Sequence, residues 1–64
     1  MYIEFITVGS KRLLMAIEDI SHIVEQDERN LIIVTVNKER IPVYANYDEV
    51  FDFLTNPNQD INLN

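Results

Sequence analysis

Six consecutive residues, Leu31-Ile32-Ile33-Val34-Thr35-Val36, constrain this chain more than any other stretch: five are aliphatic and none is charged. A strand with one face in water alternates apolar and polar side chains. An apolar run without that alternation predicts a strand covered on both faces. A buried helical turn would also be apolar all round. The β-branched content, the shortness of the run and the polar clusters on either side favour the strand.

The rest of the chain reads as shorter strands around this one, then a helix. Tyr2 to Val8 predicts a strand with Ile3 and Phe5 on one face and Tyr2, Ile6 and Val8 on the other. Gly9-Ser10 predicts a two-residue hairpin turn of type II′, with the only glycine of the chain at the positive φ. Lys11 to Ile17 returns, presenting Leu13, Met15 and Ile17 on one side and Leu14 and Ala16 on the other. Glu18-Asp19-Ile20 predicts a one-turn bend, and Ser21 to Gln26 a further strand ending in the polar loop Asp27-Glu28-Arg29-Asn30. After the polar turn Asn37-Lys38-Glu39, Arg40 to Ala45 forms the last strand. Pro42 has no N–H to give a ladder, which predicts that this strand is an edge or that Pro42 faces away from its neighbour.

Asn46 is a good N-cap, and Glu49 three residues later completes a capping-box pattern. Tyr47, Val50, Phe51 and Leu54 then fall on one helical face, with Phe53 away from it, and the helix is expected to stop before Pro57. Neither an internal repeat nor a domain linker is expected. The expected fold class is α+β: an antiparallel, meander-like sheet of about five strands followed by one C-terminal helix, with residues 1–56 as a single domain and 57–64 as a polar, loosely ordered tail.

A chain of 64 residues is near the lower limit for folding alone, because it buries only about 60% of its unfolded surface. Small domains gain support from disulfides, a metal or oligomerisation. The absence of cysteine and the single histidine leave oligomerisation. Eleven acidic residues against five basic ones give a net charge of −6, which argues against nucleic acids and anionic membranes as direct partners. The N-terminus carries no signal-peptide pattern, and no apolar run is long enough to span a bilayer, so a soluble cytoplasmic protein is expected.

Chemistry-bearing constellations are missing. His22 alone makes no metal site, and no cofactor-binding motif occurs. Ser21 and His22, as successive strand residues, are expected on opposite faces, which disfavours a catalytic pairing. Glu18-Asp19, Asp27-Glu28 and Asp48-Glu49 each have a place at a turn or helix start. No catalytic, metal or cofactor residue is assigned, and the chain reads as a non-enzyme. Two surface features remain. Tyr2, Ile6, Val8, Leu14 and Phe53 exceed what one helix and one sheet face can bury, and mark a candidate subunit or partner interface. Lys11, Arg12, Lys38 and Arg40 form a candidate site for a small anionic ligand such as a nucleotide, provided that their two turns lie at one end of the sheet.

Ile17-Glu18-Asp19-Ile20-Ser21-His22-Ile23-Val24-Glu25, Ile32-Ile33-Val34-Thr35-Val36-Asn37, Ile41-Pro42-Val43 and Tyr47-Asp48-Glu49-Val50 together give the chain a pattern that resembles the small flagellar FlbD/SwrD-type proteins over about two-thirds of its length. The strand–strand–helix pattern is also similar to part of a LytTR-type DNA-binding domain, a longer family that is basic on its contact elements. The turn between the last two strands usually carries Asn-Gly in the resembled family; here Asn37 is followed by Lys38. The FlbD-type resemblance implies a small non-enzymatic regulatory protein and supplies no site residues. The expected function is therefore that of an acidic binding or regulatory protein acting as a homo-oligomer through protein–protein contacts. The alternative is a phage-encoded inhibitor of a host defence system, which sequesters a signalling nucleotide or mimics nucleic acid with its carboxylates.

Overall fold

A computed structural model describes residues 1–56; the tail expected at 57–64 lies outside the described residues. The fold is α+β. Strands β1 (Tyr2–Thr7) and β2 (Arg12–Ala16) lead through a 3₁₀ turn at Ile17–Asp19 to β3 (Ile20–Asp27), β4 (Asn30–Thr35) and β5 (Arg40–Tyr44), and helix α1 (Tyr47–Thr55) follows. They form one antiparallel sheet in the order β2-β1-β5-β4-β3.

Alternation decides what each strand buries. On one face Ile3 and Phe5 of β1 stand opposite Met15 and Leu13 of β2. In the same layer Val43 and Ile41 of β5 stand opposite Leu31 and Ile33 of β4, and Ile33 opposite Ile23 of β3. Leu31, Ile33 and Val43 have no exposed surface at all, and Val50 of α1 closes the cluster from above. The long apolar run is thus the best-covered strand, although it lies next to β3 rather than at the middle of the sheet. Its last residue, Val36, falls outside β4 in a turn and is exposed.

The helix starts where its cap dictates: the Asn46 Oδ1 accepts the Glu49 N–H at 3.0 Å. The Asn46 amide also donates to the Glu28 carbonyl at 3.1 Å, and the Ala45 N–H donates to the Arg29 carbonyl at 2.9 Å, so the helix start is tied to the β3–β4 turn. Tyr47, Val50 and Leu54 pack on the core. Phe51, expected beside them, is instead 51% exposed and stacks on Tyr47 with ring centroids 6.1 Å apart. A nine-residue helix against edge strand β3 has sheet beneath only part of its apolar side, and Phe51 overhangs the rim.

The β1–β2 and β4–β5 hairpins share one turn construction. In both, a threonine begins the turn, and the residue three positions later donates to its carbonyl (Ser10 to Thr7 and Lys38 to Thr35, 2.8 Å each). The threonine N–H donates to the carbonyl four positions on (Lys11 at 2.8 Å, Glu39 at 2.9 Å), and its hydroxyl accepts the N–H of that residue at 3.2 and 3.1 Å. The last loop residue takes the left-handed conformation in both: Ser10 with φ 65° and Lys38 with φ 70°. This is a three-residue loop ending in a left-handed bulge position. It replaces the two-residue type II′ turn expected at Gly9-Ser10, and Gly9 does not take a positive φ. The matching sequence runs from Ile6-Thr7-Val8 to Arg12-Leu13 and again from Val34-Thr35-Val36 to Arg40-Ile41.

The edge position that Pro42 suggested for β5 does not hold, because β5 is a central strand between β1 and β4. Val43 and Ile41 carry the ladder to β4, so the Pro42 nitrogen is turned towards β1. There the Pro42 carbonyl still accepts the Val8 N–H at 3.2 Å. The Val8 carbonyl, which a residue-42 N–H would have served, accepts the Tyr44 hydroxyl at 3.2 Å. A side chain fills the place of the missing donor, and the proline is tolerated inside the sheet.

Candidate functional site

Among the described residues, the helix covers one face of the sheet and no element covers the other. The register places on that far face Tyr2, Glu4 and Ile6 of β1, Arg12, Leu14 and Ala16 of β2, and Arg40, Pro42 and Tyr44 of β5. Asn30, Ile32 and Val34 of β4 and Val24 and Asp27 of β3 complete it. Leu14 (64%) and Tyr2 (63%) are the most exposed large apolar side chains of the described residues, and Ile6, Val24 and Tyr44 are also exposed. An apolar layer spanning all five strands is far more than scattered surface hydrophobes would give. Tyr2, Ile6 and Leu14 therefore share one surface. Val8 lies at its end in the β1–β2 turn, while Phe53 is half-buried on α1, on the other side of the sheet.

Charge is distributed unevenly. Glu4 and Asp27 are the acids of the far face and Arg12 and Arg40 its bases, so two negative and two positive groups leave it formally neutral. The chain carries −6, and that excess therefore lies on the helix, the turns, the helix side of the sheet and the tail. Asp27 is held below the ordinary carboxyl value of 3.8. The largest cause is the Arg29 N–H donating at 2.9 Å, followed by the Asn30 side-chain amide at 2.8 and 3.0 Å.

The strand directions bring the β1–β2 and β4–β5 turns to the same end of the sheet, so Lys11, Arg12, Lys38 and Arg40 do share an end. They are spread along it. Arg12 is level with Tyr44, four residues from Arg40 and two strands away, which puts the two Cα positions roughly 16 Å apart.

A groove of ≈ 360 Å³ runs between α1 and β3 on the helix side, lined by Ile17, Ile20, Ile23, Tyr47, Phe51 and Leu54, with Ser21, His22 and Thr55 also on its wall. Ser21 and His22 do not diverge as strand neighbours should: the Ser21 Oγ and His22 Nδ1 lie 3.1 Å apart. The register shift between Ile20 and His22 is the reason, since a bulge inserts an extra residue and brings neighbouring side chains towards one side. Both residues are exposed, and no carboxylate is hydrogen-bonded to the imidazole among the described residues. Without that orienting group the pair lacks the third member of a triad. No group of three or more His, Cys, Asp or Glu able to hold a metal occurs among the described residues. No helix there is long and apolar enough to cross a membrane.

Sequence reasoning missed Val24 and Tyr44 as members of the far face. Tyr44 alternates with Pro42 and Arg40, and that period was the available signal. Comparison of the chain with protein-family models, with curated proteins and with solved structures finds no match.

Proposed function

We propose that this chain is a small non-enzymatic binding protein that works as a homo-oligomer, with copies meeting through the far face of the sheet. The observation that carries this reading is the coincidence of the apolar layer with charge neutrality. Two copies of a chain of charge −6 repel each other on most approaches. The face bearing Tyr2, Ile6, Leu14, Val24 and Tyr44 is the one side where contact buries apolar surface without opposing like charges. Seven buried apolar side chains among the described residues make a thin core, and a second copy adds burial that this core lacks. The FlbD-type resemblance supports the same class, a small regulatory protein acting by contact.

Sedimentation equilibrium at high micromolar concentration tests the reading. The wild type is expected to sediment as an oligomer, and Ile6→Asp, in the middle of the face, to lose that contact while keeping its circular dichroism spectrum. Because apolar burial drives the contact, added salt should leave the association intact. A monomeric wild type, or an Ile6→Asp variant with unchanged mass, rejects the far face as the interface.

A further inference from the structure

We infer that a second, separate contact joins copies of this chain edge to edge through β2, resting on the reading that the chain self-associates. The ladder to β1 uses the backbone groups of alternate β2 residues. The Thr7 N–H donates to the Lys11 carbonyl and the Ile17 N–H to the Met1 carbonyl, which places Leu13 and Met15 in the same bonded set. The N–H and C=O groups of Arg12, Leu14 and Ala16 therefore point to the side of β2 that pairs with no strand among the described residues. Sheets ordinarily blunt such an edge with bulges, proline or charged side chains, and Arg12 at its start is the one charge that β2 carries. The other open edge, β3, is broken by two register shifts, whereas β2 is regular along its length and contains no proline.

The occupant that fits is a second β2. Antiparallel pairing about Leu14 sets Leu14 opposite Leu14 and Arg12 opposite Ala16 of the other copy. Every free group of the three residues then has a partner, with no like charges directly opposed. The likeness of the two hairpins shows that an edge of this kind takes an antiparallel strand. β5 is the counterpart of β2 in the second hairpin, and the same edge of β5 is the one that pairs with β1. Edge pairing has its two-fold axis perpendicular to the sheet, and face contact has one within the sheet plane; where the two axes intersect, the contacts close into a four-chain assembly.

Ala16→Pro is the test. Ala16 already has φ −71° and ψ 138°, close to proline's fixed φ of about −65°, and its N–H is not used by β1. Sedimentation equilibrium of wild type, Ala16→Pro and Ile6→Asp reads the two contacts separately. Expected are a tetramer for the wild type, a dimer for each single variant and a monomer for the double variant. Amide exchange confirms the fold: Leu13 and Met15 stay protected in all four proteins, while Leu14 is protected only where β2 is paired to another copy. If Ala16→Pro leaves the mass unchanged, the edge contact is overturned whatever Ile6→Asp does. If Ala16→Pro halves the mass and Ile6→Asp does not change it, the edge stands and the face reading falls. A monomeric wild type removes both.

Discussion

The β1–β2 and β4–β5 hairpins are built alike and placed differently. Each turns on a threonine whose hydroxyl accepts a backbone N–H across the loop, and each puts an L-residue into the left-handed region. The second hairpin lies within the sheet, flanked by β3 and β1, and its inward side chains Leu31, Ile33 and Val43 are fully buried. The first ends the sheet, and the equivalents Ile3, Phe5 and Met15 range from half-buried to nearly covered. The same local construction thus carries different energetic weight according to its neighbours. Turn chemistry closes a hairpin; position in the sheet decides how much stability depends on it.

The largest effect that separates them is truncation of equivalent core residues. Leu31→Ala should cost about 3 kcal/mol, since a fully enclosed site relaxes poorly around a cavity, and Ile3→Ala about 1 kcal/mol, since Ile3 is half in water. Urea denaturation measures both. Equal costs would mean that the edge hairpin is covered by something beyond the described residues. The threonines come next. The Thr35 hydroxyl, on a residue only 6% exposed, accepts from Asn37 at 3.2 Å and Glu39 at 3.1 Å. Thr35→Val leaves those donors without their acceptor and should cost about 1–2 kcal/mol, against about 0.5 kcal/mol for Thr7→Val, where water can serve Lys11. Near-equal values would show that burial is not what sets the two turns apart.

The left-handed residues give a smaller effect of opposite sign. Lys38→Gly and Ser10→Gly each relieve a positive φ and should stabilise by about 0.5–1 kcal/mol. Gly9→Ala should be tolerated, because Gly9 has no positive φ and the added Cβ meets only the Thr7 Oγ1 at an ordinary 3.7 Å. Thermal melting of the three variants decides the matter, and a loss of stability in Gly9→Ala would restore the type II′ turn.

That reversal shows what could be read in the residues and what could not. The two-residue period gave the correct faces of β1 and β2, because burial acts on every second side chain of any strand. The helix start was equally legible, since Asn46 caps by a bond local in sequence. Local glycine preference misled at Gly9. The hairpin needs its left-handed residue one position later, where serine is held there by the Thr7 bonds. Pro42 misled for a different reason: the group that replaces its N–H, the Tyr44 hydroxyl, becomes visible only once β1 and β5 are side by side. The far face was partly legible. Tyr2, Ile6 and Leu14 stood out as surplus apolar residues, but neutrality emerges only when strands distant in sequence are aligned.

The β3–β4 turn sharpens the comparison from outside it, because it closes without a threonine. Here the Asp27 carboxylate accepts the Arg29 N–H and the Asn30 side-chain amide, so this is the turn of the three whose closing acceptor titrates in the acid range. Those bonds hold the folded-state pKa below the ordinary 3.8, which makes the folded state the weaker proton binder. The stabilisation is therefore complete above about 3.8 and is lost as the pH falls through the lower folded-state value. Asp27→Asn keeps an acceptor for the Arg29 N–H but removes the titration. Its stability should then fall less steeply than that of wild type on acidification through this window, followed by urea denaturation at successive pH values. The threonine hydroxyls that close the other two turns do not titrate, so Thr7→Val should leave the wild-type slope unchanged. A shallower slope in Thr7→Val, or an unchanged one in Asp27→Asn, would move the acid sensitivity away from the carboxylate-closed turn.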